Sequence, residues 1–148
     1  MATTDPARRA EDNARPPGVG DDVVAAVRKL TEAVETLERA RGRLYDFHHL
    51  VGRVDFLFED AADALEAAGR RDEAARLRAD VVGRNVLSGR WTYQVLEEFD
   101  DVYYRPVTAI DGDVRDALVG GRRHVFEAEL QRKRRTHGRP GHESDPRA

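Results

Sequence analysis

From Asp21 onward, apolar side chains recur at alternating spacings of four and three: Val23, Val27, Leu30, Val34, Leu37, Leu44, Val51, Phe58 and Leu65. Against a 3.6-residue turn, that spacing lays one apolar seam along a helix, with Asp21 or Asp22 placed to cap its start. In the same register the seam also passes through Arg41, His48, Asp55 and Ala62. Arg41, His48 and Asp55 are each separated by about 10.5 Å of helical rise, too far apart to form one site directly. A second stripe, Phe47, Leu50, Val54, Leu57 and Ala61, predicts that the buried face rotates away from the first seam, leaving His48 and Asp55 at its edge. Gly42 or Gly52 offers a break in the helix, and a change of packing partner would serve equally.

Gly69 is placed to end this helix, and Asp72 to cap a short amphipathic one through Ala74, Leu77 and Val81 that Gly83 closes. Ser88 is a candidate cap for a further helix beginning near Arg90. In "WTYQVLEEFDDVYY", 100° per residue gathers Trp91, Thr92, Val95, Leu96, Phe99, Val102 and Tyr103 on one arc. Glu97 and Asp101 fall opposite, with Asp101 placed to pair with Arg105, while Glu98 and Asp100 border the arc, where partial burial is expected to raise a carboxylate pKa and Glu98 has a salt bridge to Arg105 or to an arginine of another helix as its structural role. Pro106 marks a kink or the first turn of a new helix. Val107, Ile110, Val114, Leu118, Val125 and Ala128 keep helical spacing through Gly120 and Gly121, so one long helix passes a weak joint or two helices meet there. No stretch sustains the alternation of a strand. The expected fold is therefore all-α, a bundle of four to five helices.

Composition sets the limits of this bundle. Residues 1–20 and 134–148 hold few large apolar side chains and are expected to be a disordered leader and a disordered basic tail around a single helical domain, 21–133. The chain has 148 residues and no cysteine, which excludes thiol chemistry and disulfides and fits a cytoplasmic location. Charges interrupt every apolar run, so no membrane span is expected. The net charge of −3 divides into +4 on residues 122–148, with eight basic and four acidic side chains, and −7 on the rest.

Candidate chemistry is sparse. The serines Ser88 and Ser144 lack a nucleophile-elbow context, and no phosphate-binding glycine motif precedes a helix. No catalytic set and no cofactor are expected; a divalent metal on His48, Glu98, His124 and Glu127 is the enzymatic alternative. Arg122, Arg123, Arg132, Lys133, Arg134, Arg135 and Arg139 form a basic end that suits a polyanion such as nucleic acid. Within it Gly138-Arg139-Pro140 resembles the core of the AT-hook, which implies minor-groove binding; His137 stands where the hook has arginine, and Gly141 and His142 follow where it is usually basic. The reading that joins most of the sequence is a non-enzymatic interaction module. Its first-helix seam, with Arg41, His48 and Asp55 setting register, would meet a protein partner or a second copy.

Overall fold

The computed structural model describes residues 13–143. Its helices are α1 (Asp21–Ala67), α2 (Arg71–Asp80), α3 (Thr92–Phe99), α4 (Arg105–Val119) and α5 (Val125–Arg134). A π-helical turn, Asp100–Tyr104, joins α3 to α4 without interruption, so the described residues form four continuous helices and no strand. The expected all-α class is what the chain adopts. Residues 1–12 of the expected leader and 144–148 of the expected tail lie outside the described residues.

Helix α1 runs for 47 residues, straight through Gly42 and Gly52. Neither glycine is approached by a neighbour where a Cβ would stand, so neither marks a close packing contact. The helix stops at Gly69, whose φ of 78° only glycine takes cheaply. There the Gly69 N–H donates to Glu66 and the Arg70 N–H to Leu65, the paired bonds that satisfy carbonyls at a helix end. Helix α2 begins at Arg71, one residue before the expected Asp72 cap, and Asp72 stands in its first turn instead. Ser88 does not cap α3: Leu87 and Arg90 close a tight turn by exchanging backbone hydrogen bonds, and the Trp91 N–H at the helix start donates to Gln94 Oε1 at 2.8 Å.

The described residues fold into two compact units, Thr36–Pro106 and the combination of 13–35 with 107–143. In the first, Ala62 of α1 and Ala74 of α2 are buried, which lets these helices approach closely, and Thr92 and Leu96 of α3 are buried as well. Arg78 of α2 reaches Glu59, Asp63 and Glu66 along the flank of α1. Its guanidinium pKa is raised, chiefly by the hydrogen bond to Glu66 and then by that to Asp63.

In the second unit Val24, Val27, Val119 and Val125 form the buried apolar cluster beside Thr31, whose hydroxyl donates to the Val27 carbonyl at 3.0 Å. Of the apolar positions at helical spacing on α4, Val107 and Val114 are half-buried and Ile110 and Leu118 exposed, while Val119 is buried and the Asp111–Arg115 ion pair at 2.8 Å is largely shielded from solvent. At the glycine joint two helices meet: Gly120, Gly121 and His124 all take positive φ before α5 begins. Residues 13–20, placed by composition in the leader, are held here by Arg15, which binds Glu129 through two N–H donors at 2.7 and 2.8 Å and Asp21 at 2.6 Å.

Candidate functional site

The seam on α1 is its least exposed face. Val27 and Ala62 are buried, and Val23, Leu30, Val34, Leu37, Arg41, Leu44, His48, Val51, Asp55 and Leu65 are half-buried, Phe58 alone being exposed. The polar members have partners within the chain. Arg41 donates two hydrogen bonds to Asp100, at 2.7 and 2.8 Å, and its guanidinium lies over the rings of Tyr45 and Tyr104 at 4.9 and 4.5 Å. The hydrogen bond from Arg41 holds the Asp100 carboxyl below its ordinary range, and Asp100 raises the Arg41 pKa in return. Asp55 accepts the Gly83 N–H at 2.7 Å, capping the turn after α2. His48 packs its ring 5.1 Å from that of His49, and its Nδ1 is shielded from water without a hydrogen-bond partner among the described residues.

The π turn explains where the wheel reading of the aromatic stretch fails. Through Phe99 the arc holds, with Thr92 and Leu96 buried and Trp91, Val95 and Phe99 half-buried. A π turn adds a residue to one helical turn and so rotates everything after it. Val102 and Tyr103 consequently point outward, 69% and 54% exposed, while Tyr104 turns toward Arg41, which also binds Asp100 at the border of the arc. The Tyr104 hydroxyl donates to Glu38 at 2.6 Å, and that bond raises its pKa. Glu98 remains at the surface, paired with Arg90 rather than with a helical arginine, and Asp101 pairs with Arg105 as its spacing predicted.

The second stripe is not a core face. Along α1, Phe47, Leu50, Val54 and Leu57 are 41, 63, 42 and 52% exposed, although they follow one another at spacings of three, four and three. The burial stays on the original seam for the length of the helix, so the expected rotation of the buried face does not occur. Ala61, the last position of the stripe, is exposed as well; Arg43 precedes the stripe, in a surface pair with Asp46 at 3.2 Å, and the exposed Asp60 stands next to its end.

The expected metal set is not assembled. Among the described residues no three His, Asp or Glu side chains gather so as to hold an ion. Glu98 is engaged by Arg90, and His124, in the left-handed backbone region at the start of α5, lies 4.0 Å from Glu127. At the basic end, Arg122 donates to the Ala14 carbonyl, and Lys133 lies close enough to Asp21 and Glu129 to lower both carboxyl pKa values, though the hydrogen bond from Arg15 lowers each more. Arg123, Arg132, Arg134 and Arg139 are exposed, whereas Arg135 is half-buried with Nε shielded from water. No helix is long and apolar enough to cross a membrane among the described residues. Compared with family models, curated proteins and solved structures, the chain gives no match.

Proposed function

We propose that this protein is a non-enzymatic interaction module that engages a protein partner through the exposed stripe Phe47, Leu50, Val54 and Leu57 of α1. The observation that carries the reading is the exposure of four large apolar side chains in heptad spacing on a helix whose other face is already packed. Scattered exposed apolar residues need no explanation, whereas a contiguous row marks a docking face. The seam residues Arg41 and Asp55 act within the chain in this reading, with Arg41 fixing the π turn and Asp55 capping the α2 end. The absence of cysteine supports a cytoplasmic setting.

Unfolding of dilute Leu50→Ser and Leu57→Ser variants tests the docking face. Each is expected to keep the stability of the unsubstituted chain within about 0.5 kcal/mol, as for a surface position. A loss of about 2–5 kcal/mol, the cost of emptying a core site, would make the stripe part of the fold and remove the reading.

A second reading rests on the exposed cations Arg132 and Arg134 in the last turn of α5, with Arg139 beyond it. Bound to a polyanion, they would release counterions, and affinity for a nucleic acid would fall steeply with salt. Replacing all three with serine is expected to flatten that salt dependence; an unchanged slope would discard this reading.

A further inference from the structure

We infer that the occupant of the α1 stripe is a second copy of this chain, docked antiparallel so that Phe47 meets Leu57 of the second copy and Leu50 meets its Val54. The inference rests on the reading of the stripe as a docking face and adds the partner. Three observations lead to it. The four large side chains of the stripe, Phe47, Leu50, Val54 and Leu57, are spaced three-four-three, so a two-fold axis crossing the helix beside residue 52 superimposes them on their own reverse, and the small Ala61 that continues the stripe falls opposite Arg43 of the second copy. Each of these four side chains then faces another, in two kinds of layer, each formed twice. Such self-complementarity is what a two-fold interface requires, and an unrelated partner would not demand it.

The charges choose the direction. The stripe opens with the cations Arg39 and Arg43 and closes with the anion Asp60, all exposed. A parallel pair would lay Arg39, Arg43 and Asp60 against their own copies. The antiparallel pair sets Arg43 within one residue, about 1.5 Å of rise, of Asp60 of the second copy. The bond that Arg43 now makes, to Asp46, is an exposed pair that contributes little and leaves donors free for a second carboxylate. Two kinds of like-charge meeting remain, Arg53 with its copy near the axis and Asp46 with Asp60 of the second copy; all of these side chains are exposed, where salt screens them, and Asp46 and Asp60 share Arg43 between them.

The third observation is that the packing of α1 within the chain leaves this face available. The intrachain partners of α1 in its own unit, namely Asp100, Tyr104, Arg78 and the Gly83 N–H, bind Arg41, Glu38, Glu59, Asp63, Glu66 and Asp55, none of which belongs to the stripe. None of these hydrogen bonds and ion pairs between α1 and the elements packed on it involves a stripe residue, so docking leaves them in place.

The chain has no cysteine, so single-cysteine variants report the pairing without background. Phe47→Cys and Leu57→Cys, each alone and mixed in equal amounts, are oxidised with diamide and resolved by mass. The mixture is expected to form the heterodimeric disulfide at least about tenfold faster than either variant links to itself, because like positions then lie about 15 Å apart along the axes. Faster self-linking of each variant would overturn the antiparallel arrangement, and no linking in any sample would overturn the second copy. Because these changes touch the apolar row, the charged ends supply an independent check. Arg43→Asp and Asp60→Arg are each expected to weaken dimerisation about tenfold, since each reverses both symmetric pairs, and the doubly substituted chain is expected to recover it. A double variant weaker than either single one would overturn the register. Failure of linking while Leu50→Ser keeps its stability would remove the second copy and leave the docking face; a destabilised Leu50→Ser would remove both.

Discussion

Arg41 on the first helix and Asp100 on the π turn form a two-pronged ion pair, at 2.7 and 2.8 Å, between residues 59 positions apart. The carboxylate stands at the border of the buried face, where it reaches the guanidinium, and the π turn that begins with it exposes Val102 and Tyr103 beyond. Asp100, with its pKa lowered by this bond, contributes stability that is present above the unfolded-state value of about 3.9 and is lost as pH falls through the lower folded value. Asp100→Asn is therefore expected to be less stable than the unsubstituted chain at neutral pH and to lose less on acidification below about pH 4. Urea midpoints measured in steps from neutral to strongly acid pH check this, and parallel curves for the two proteins would contradict it.

Two glycines should respond oppositely to alanine. Gly52 is helical, with nothing within 4 Å of an added Cβ, so Gly52→Ala is expected to stabilise by about 0.5–1 kcal/mol. Gly121 has φ of 71°, and an added Cβ would stand 2.7 Å from Asp116 Oδ1, so Gly121→Ala is expected to destabilise by about 1–2 kcal/mol. Thermal or chemical unfolding of both variants gives the comparison directly.

Helix α4 makes a similar contrast between its sides. Val119→Ala empties a site with no solvent exposure and is expected to cost about 2 kcal/mol. Ile110→Ala, at an exposed position, is expected to cost no more than about 0.5 kcal/mol. Equal losses in denaturant unfolding would contradict the assignment of the inward face.

Arg15 ties residues 13–20 to α5 through Glu129 and to the start of α1 through Asp21. Arg15→Gln is expected to speed amide exchange and proteolytic cleavage in this segment while leaving exchange in α1 and α4 unchanged. Equal protection in both proteins would mean that other contacts hold the segment.

The sequence reading reached the helical class, the seam of α1, the end of that helix at Gly69 and the Asp101–Arg105 pair, because each follows from a local period or a local backbone preference. Asp100 stands at the border of the apolar arc as its spacing predicts, but the Arg41 hydrogen bond lowers its pKa where burial alone would raise it, and Val102 and Tyr103 leave the arc because a π turn breaks the 100° increment and leaves no mark in the order of apolar residues. The sequence reading placed Arg15 in a leader because composition counts apolar side chains, whereas the attachment comes from one arginine and two distant carboxylates. Ile110 and Leu118 kept helical spacing, yet the Asp111–Arg115 pair took the inward side, a choice that only the neighbouring helices could make. The stripe itself was visible in the spacing of Phe47, Leu50, Val54 and Leu57; whether such a row faces a core or a partner depends on how much chain is left to cover it.

Light scattering after size exclusion, across a wide range of loading concentrations, tests the second-copy account most directly. The unsubstituted chain is expected to rise from the monomer mass toward twice that mass, while the chain carrying both Leu50→Ser and Leu57→Ser stays at the monomer mass with unchanged helical circular dichroism. A strict monomer at the highest concentration, or a dimer that survives both substitutions, would contradict it.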